Sequence, residues 1–392
     1  MFKSSLIFLL LSAAISCSDS ASQVSTTAAP LAEFNVDLDR KNFSTWFDQG
    51  YPTFDELRWR LLGWEQHVTP AFDLSRVARK PLMIWLEDGH PLGATSEHGR
   101  ALREAFSDDS LAPILNKYVV AVDDFNRTPA VIDSIAGELV VFTSSGAIVG
   151  RSAATDVPTI INFLTTALDN FNHLPTSEQG AKIDPSLLEG AMHIEDDFPD
   201  DGLSLEVFTR AANSLDLSTI KRNPWLKDYV WFNQNEILEF VKPIKISGEK
   251  SLPKHLLNRL VSHCLVPPYN GAPNSWREDS ILESHVVLKC NSVIKNRSTY
   301  LIHGSAHCEQ DGKVLNVRLR GAASYDTARD QFGLLEIIAL AEYIDGDTAP
   351  QLFTTAMRKV TSIDKWHRVP PKALSDYADA YFSLSGSGNP NK

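Results

Sequence analysis

Short apolar runs separated by amphipathic segments fill the first part of the chain. Leu82–Leu86 and Val119–Val122 are uninterrupted apolar runs with the length and composition of buried strands. Helical spacing of apolar residues occurs at Phe54–Trp64, before the first run, and again at Ser96–Phe106, between the two runs. The pattern therefore predicts a helix followed by a strand, a second helix and a second strand.

A hairpin and a closing helix are predicted next. Leu139–Phe142 and Ala147–Val149 flank Thr143-Ser-Ser-Gly146, a turn-forming sequence between two apolar strands. Val157–Phe171 then places its apolar residues on one helical face, and Asp156 precedes it as an N-cap. From the first apolar run onwards, the predicted order is β-α-β-β-β-α.

Helical patterns open the second part of the chain. Leu205–Ala212 is short and amphipathic, and Asn233-Gln-Asn-Glu236 has the residue types of a capping box that starts a helix through Val241. A clearer helix is predicted at Leu252–Val266, with Cys264 on its apolar side. Cys264 is therefore predicted to be a small buried residue.

From Leu282 to Tyr343 the apolar period changes to that of strands. Asp311-Gly312 is a strong hairpin signal, and it predicts that Gln310 pairs with Lys313. In that register one face of the hairpin is apolar and includes Cys308. The other face carries His303, Ser305, His307, Asn316, Arg318 and Arg320.

These patterns predict an α+β chain of two domains, the second containing an antiparallel β-meander. The first domain covers residues 46–174, and the second covers residues 203–384. The connection at residues 175–202 contains proline, glycine and an acidic cluster, so it offers little to bury and we expect the two halves to fold separately. Residues 385–392 are predicted to be a disordered tail.

The N-terminal segment predicts export. Lys3 precedes the apolar run Leu6–Ile15, and residues 1–16 suit a secretory signal. Ala14-Ile-Ser-Cys17 resembles a bacterial lipobox, which predicts lipidation at Cys17, with ordinary cleavage near Cys17 as the alternative. Residues 17–45 then form a flexible tether, and membrane attachment is predicted through the lipid alone.

Net charge excludes one class of partner. The 392 residues carry a formal net charge of −12, and no run of Lys and Arg is longer than two. A nucleic-acid-binding surface needs clustered cations to neutralise phosphates. No nucleic acid partner is therefore predicted.

One segment of the first domain resembles a known family. Gly99-Arg-Ala-Leu-Arg-Glu104 followed by Ser110-Leu-Ala-Pro-Ile-Leu-Asn116 is similar to the helix and turn after the redox motif of selenoprotein N. The resemblance covers residues 79–171 and implies a thioredoxin-like α/β domain. It places the Cys-Sec pair of that family on Thr95 and Ser96, and the cis-proline of thioredoxin folds on Ala136 or Gly137.

The missing redox residues imply that the family's activity is lost. Hydroxyl groups such as those of Thr95 and Ser96 cannot perform thiolate exchange. The alternatives for this turn are a helix N-cap, or a nucleophile made of Ser96 with Glu97 or His98 as base. Adjacent helical residues point away from one another, which favours the N-cap.

His303 and His307 raise the question of a metal site. On a helix this spacing suits zinc, but on a strand the two residues stand about 13 Å apart, too far for one ion. No metal and no cofactor are therefore predicted. The alternatives for this face are a solvated surface, or an anion-binding or partner surface built on Arg318 and Arg320.

Besides Cys17, the chain contains three cysteines. In an exported chain two of Cys264, Cys290 and Cys308 can pair. Cys290 and Cys308 are out of step in the simplest hairpin register, so the predicted bridge joins Cys264 and Cys308.

The function expected from the sequence is non-catalytic. The chain is predicted to be an exported, lipid-anchored binding or scaffold protein of the bacterial cell envelope, periplasmic or at the surface, with a protein or peptide partner bound beside Thr95 and Ser96. The alternative is an oxidoreductase-related enzyme that uses the cysteines of the second domain or of a partner.

Overall fold

Two β-sheets organise the chain, a mixed sheet of four strands and an antiparallel sheet of eight. The computed structural model describes residues 41–65, 67–87, 96–124, 128–129, 132, 137–189, 202–212, 220, 223, 225–241, 246–269 and 271–360. These residues belong to one compact unit.

The small sheet confirms the strands predicted for the first part of the chain. Its strands are β1 (Leu82–Glu87), β2 (Val119–Asp124), β3 (Leu139–Phe142) and β4 (Ile148–Ser152), in the order β2-β1-β3-β4. Strands β1 and β2 are parallel, and the remaining pairs are antiparallel. The predicted β3–β4 hairpin is formed.

The first part of the chain also contains helices. They are α1 (Phe43–Gly50), a 3₁₀ helix (Asp55–Leu62), α2 (Val68–Ala78), α3 (Glu97–Phe106), a 3₁₀ turn (Asp109–Leu111), α4 (Ala112–Leu115), α5 (Val157–Asn172), α6 (Thr176–Gln179) and a second 3₁₀ turn (Pro185–Leu188). The helix predicted at Phe54–Trp64 is thus a 3₁₀ helix, and Gly63, with φ +68°, ends it. The N-cap predicted at Asp156 is confirmed, since its side chain accepts from the Thr159 amide at 3.0 Å.

Both faces of the small sheet are buried. Ile84 and Phe142 pack with Phe72 of α2 on one face. Met83 and Trp85 pack with residues of α3 and α5 on the other face. Because successive side chains of a strand point to opposite faces, the fully apolar runs seen in the sequence follow from a sheet covered on both sides.

The large sheet contains more strands than the sequence predicts. Its strands are β5 (Leu203–Ala211), β6 (Trp225–Phe232), β7 (Glu249–Ser251), β8 (Ile281–Ile294), β9 (Arg297–Gln310), β10 (Lys313–Asp326), β11 (Gln331–Asp345) and β12 (Gln351–Lys359), in the order β6-β5-β12-β11-β10-β9-β8-β7. The amphipathic segment at Leu205–Ala212 belongs to strand β5, where both faces are buried and the polar residues are paired internally.

The predicted meander and helices are confirmed. Strands β8 to β11 are sequential antiparallel neighbours, and Gln310 pairs with Lys313 as predicted. Helix α7 (Gln234–Val241) begins with a capping box, in which the Asn233 amide donates to Glu236 and the Glu236 amide donates to Asn233, both at 2.9 Å. Helix α8 (Lys254–Cys264) and a 3₁₀ turn (Glu278–Ser280) complete this part.

The disulfide expected between Cys264 and Cys308 is not formed. Both residues, and Cys290 with them, are buried without a disulfide in the apolar cluster between α8 and the large sheet. A shared cluster is not sufficient for a bridge, because a disulfide needs close and aligned Cβ atoms. The structure therefore corrects this expectation, while Cys264 is buried as predicted.

The two halves of the chain meet in a common core. Phe208 of β5, with Trp225 and Tyr229 of β6, lies in the same apolar cluster as Trp85 and Phe106 of the small-sheet half. Helix α1 contacts β5, β11 and β12. The boundary at residues 175–202 stays a prediction, and the shared cluster favours one cooperative unit over separate folding.

Replacing Trp225 should test whether the halves unfold together. Trp225→Ala removes a side chain that is 6% exposed from the shared cluster, and we expect it to cost about 3–5 kcal/mol of unfolding free energy within a single transition. Urea unfolding followed by circular dichroism measures this cost.

The matched variant is Trp276→Ala, because Trp276 belongs only to the cluster of the large sheet. Under a common core it should shift the same single transition. Two transitions, of which Trp276→Ala shifts only one, would instead establish the separate folding predicted from the sequence.

Candidate binding cleft between helix α3 and strand β6

Ser96 is a structural residue at the turn before α3. Its hydroxyl accepts from the Gly99 amide at 2.8 Å and donates to a Glu87 carboxylate oxygen at 2.9 Å. Glu87 is 2% exposed and also accepts from the Trp85 indole N–H at 3.1 Å. The predicted N-cap is therefore confirmed for Ser96, whose partner is Glu87 rather than Glu97 or His98. Thr95 lies outside the described residues.

His98 occupies the space beside Gly137. Gly137 has φ +88°, and a Cβ atom placed there would lie 3.0 Å from the His98 ring. Only glycine adopts this conformation readily and admits the ring so closely. Ala136, the other position at which the resemblance places a cis-proline, lies outside the described residues. His98 thus packs against Gly137, one of the two positions to which the resemblance assigns the cis-proline.

A cleft of about 590 Å³ lies on the other side of α3. It is bounded by the first residues of the 3₁₀ helix Asp55–Leu62, by the exposed face of α3, and by the chain at Asn223 and Trp225, where β6 begins. This volume lies within the range of small-ligand and peptide side-chain sites. The cleft is therefore the candidate functional site.

A stacked pair, Arg103 and Trp225, forms the floor of the cleft. The Arg103 guanidinium lies 3.9 Å from the Trp225 ring centroid and donates to the Trp225 carbonyl at 2.9 Å. Burial, together with the charge of Arg100, lowers the pKa of Arg103 to about 9. Arg103 remains protonated at neutral pH, so the floor is cationic and fixed by the contact between the two halves.

Arg210 fixes a second wall. This fully buried residue donates to both carboxylate oxygens of Glu56, at 2.7 and 2.8 Å, and to the carbonyls of Asn223 and Gly50. Buried guanidinium groups need several such acceptors to offset the loss of hydration. Glu56 and Asn223 are therefore held in place before any ligand arrives.

The rim of the cleft is acidic. Asp55, Glu97 and Glu104 are exposed carboxylates, whereas the only basic side chain beside them on the rim among the described lining residues is the half-buried Arg100. Fixed carboxylates around a concave site attract cations by their summed field. The rim therefore favours a positively charged group.

A buried ionic cluster lies further along β6. Lys227, which is fully buried, has its ammonium 3.3 Å from a Glu206 carboxylate oxygen, and Tyr51 and Arg60 also reach Glu206. Burial lowers the pKa of Lys227 to about 7 in spite of the neighbouring carboxylate. Burial raises the pKa of Glu206, but Lys227, Tyr51 and Arg60 outweigh that effect and lower it. Glu206 therefore stays ionised.

The cluster around Glu206 joins the halves, and Lys227 does not face a substrate. A lysine with a pKa near neutrality has the basicity of a catalytic base. However, Lys227 is fully buried and does not line the cleft. Its neighbours Tyr51 and Arg60 come from the first half of the chain, whereas Glu206 and Lys227 come from the second.

The polar face predicted on the meander is confirmed. His303 pairs with Arg320, and His307 pairs with Asn316 across β9 and β10. His307 contacts the Asn316 side chain at 2.7 Å and Glu309 at 3.1 Å. Arg318 lies on the same face. The use of this face as an anion or partner surface stays a prediction.

The buried thiols have low nucleophilicity. Burial raises the pKa of Cys308 to about 12 and also raises that of Cys290. Cys264 is 2% exposed. Thiol exchange requires an accessible thiolate, so these residues do not form a reactive pair.

Comparison of the chain with protein-family models, with curated protein sequences and with solved structures gives no match. Across the described ranges, no helix is long and apolar enough to cross a membrane.

Sequence patterns did not indicate the cleft. Arg103 and Arg210 lie in amphipathic or apolar segments where an arginine usually faces solvent. A signal was present in Trp225, a large aromatic residue that precedes Lys227 by two positions and so shares its strand face. The two-residue spacing of Trp225 and Lys227 places them on one face only if the segment is a strand, and the sequence did not predict a strand there.

Lys227→Met should change the pH dependence of stability. Because the pKa of Lys227 falls from its ordinary value of 10.5 to about 7 on folding, the unfolded chain binds more protons between these values. The unfolding free energy of the parent should therefore rise, relative to Lys227→Met, from about pH 7 to about pH 9. Urea unfolding across this range measures the difference.

Lys289→Met is the control, since the Lys289 ammonium meets Glu249 at the surface. The difference between the parent and Lys289→Met should stay nearly constant with pH. Parallel pH curves for the parent and Lys227→Met would contradict a strongly lowered pKa for Lys227.

Proposed function

We propose that this chain is a non-catalytic polypeptide-binding protein whose first half is a thioredoxin-like unit. The order β2-β1-β3-β4, with a parallel first pair, an antiparallel hairpin and the closing helix α5, supports this unit. Fold likeness alone does not establish a function, so the proposal depends on the cleft beside α3.

The redox positions support a binding role. The Ser96 hydroxyl is hydrogen-bonded to the Gly99 amide and to the Glu87 carboxylate, and His98 fills the space beside Gly137. The alternative of an oxidoreductase needs a reactive thiol, and the three cysteines of the second half are buried. A binding protein does not need a reactive thiol.

The single observation that carries the proposal is the acidic rim above a fixed floor. Asp55, Glu97 and Glu104 surround a concave site whose base, Arg103 stacked on Trp225, is held by bonds across the two halves. Pre-organised walls lower the entropy cost of binding. The ligand class that fits is a polypeptide segment whose lysine or arginine side chains meet the carboxylates of the rim and stay away from the cationic floor.

Reversing the rim charge should abolish binding of a cationic peptide. A fluorescein-labelled octapeptide of alternating lysine and glycine should bind the full chain, and Glu97→Lys with Glu104→Lys should weaken binding by about tenfold or more, because attraction becomes repulsion. Fluorescence anisotropy measures the affinity, and added salt should weaken it.

The matched control makes the same charge change at two exposed sites elsewhere, Asp169→Lys with Asp347→Lys. It should leave affinity within about twofold of the parent. Equal losses in both double variants would attribute binding to net charge and overturn the cleft as the site. A peptide with glutamate in place of lysine that binds equally well would overturn the proposed ligand class.

We further propose export to a bacterial cell envelope and anchoring by a lipid on Cys17. A single acyl chain holds a protein only weakly, so a second acyl group or contact would be needed for stable attachment. Cys17 lies outside the described residues.

Cys17→Ser should release the chain from the membrane fraction. Without an acylated cysteine the hydrophobic contribution of the lipid is lost. Fractionation of expressing cells, with radiolabelled palmitate incorporation as a second measurement, checks this result. Cys264→Ser is the control and should remain in the membrane fraction. Membrane association of Cys17→Ser equal to that of the parent would contradict the anchor.

A further inference from the structure

Strand β8 has an incomplete partner on its outer side. The short strand β7 pairs with β8 only from Glu249 opposite Lys289 to Ser251 opposite Val287, and one more bond joins the Leu252 amide to the Val286 carbonyl at 2.8 Å. The chain then enters α8. Residues 281–285 of β8 therefore have β9 on one side and no described strand on the other.

The backbone of Ser284 faces this open side. In an antiparallel ladder the hydrogen-bonding groups of alternate residues point to the same side of the strand. The Val286 carbonyl accepts from Leu252 on the β7 side, so the N–H and C=O groups of Ser284, two residues earlier, point the same way. These groups are the next positions of the β7–β8 ladder, and among the described residues strand β7 ends before it reaches them.

A cavity of about 450 Å³ follows this edge. Leu252, Leu257 and Ile281, all nearly buried, line its inner side, next to α8. His285 and Ser305 lie towards the outer face of the sheet. The two sides of the cavity thus differ in polarity in the way that the two faces of a strand do.

We propose that this edge binds an extended peptide as an added β-strand. Its backbone would continue the β7–β8 ladder by bonding to Ser284, with apolar side chains towards Leu252 and Leu257 and alternate polar side chains towards His285. Main-chain bonds of this type supply affinity, and the pockets for alternate side chains supply specificity.

Charge and exposure at the cavity agree with a peptide of mixed charge. Lys254 and Glu283 both line it and are exposed, so they can pair with a carboxylate and an ammonium group of the same peptide. Leu282, also in the lining, is 55% exposed.

A bulge between Ile281 and Glu283 interrupts the register at the end of the edge and limits the added strand to a few residues. This site is separate from the cleft beside α3.

A designed peptide tests the proposal directly. The probe is a fluorescein-labelled hexapeptide of glutamate, valine, threonine, valine, threonine and lysine, added to the full chain. It should bind, and it should slow amide hydrogen exchange in residues 281–286. The same peptide with alternate backbone amides methylated should bind about tenfold more weakly or worse, because the ladder donors are removed.

Two variants locate the site. Ser284→Pro removes the outward N–H but no bond to β9, and it should weaken binding by about tenfold, whereas the control Ser284→Ala should not. Because proline can disturb folding, Leu282→Lys provides a second test at an exposed position, and it should also weaken binding. Circular dichroism confirms that each variant is folded.

Three outcomes would overturn the proposal. The first is equal binding of the methylated and unmethylated peptides, and the second is exchange protection outside residues 281–286. The third is protection of this segment without peptide, together with concentration-dependent dimers in sedimentation, which would assign the edge to a second copy of the chain. Loss of peptide binding at the α3 cleft alone leaves this proposal intact, because the two sites share no lining residue.

Discussion

The packing of strands β5 and β6 against the core of the small sheet is the constraint on which the other features depend. Phe208, Trp225 and Tyr229 enter the cluster of the first half, and this contact carries charged side chains out of water with them. A buried charge without a partner costs several kcal/mol, so each must find an acceptor or a donor inside the protein, either across the contact or within its own half. Arg210 bonds to Glu56, and Lys227 to Glu206.

That constraint also shapes the candidate site. Helix α3 is fixed at both ends, by the bond between Ser96 and Glu87 at its start and by the bond of Arg103 to the Trp225 carbonyl near its end. A helix held in this way presents its remaining surface rigidly. The cleft beside it is therefore pre-organised, and the residues that shape it are the same ones that join the two halves.

Turns and helix caps were predicted correctly, because residues that are neighbours along the chain determine them. The Asp311-Gly312 turn fixed the pairing of β9 with β10, and the Asn233 and Glu236 capping box fixed the start of α7. Among the strands that were missed or misassigned, β5, β6 and β12 have polar residues on buried faces, which removes the alternation that marks a strand in sequence. The expected disulfide failed because sequence spacing carries no information on Cβ alignment.

By itself, the sequence determined the strands of the small sheet, the meander, helices α3, α5, α7 and α8, and the polar face that carries His303 and Arg318. Each depends on side-chain period, turn residues or caps, which act over a few residues. Only the tertiary structure decided that Arg103 stacks on Trp225, that Glu56 meets Arg210, and that strand β7 stops pairing with β8 at Ser251. These contacts join residues more than one hundred positions apart, or depend on where another strand stops, and no local pattern encodes them.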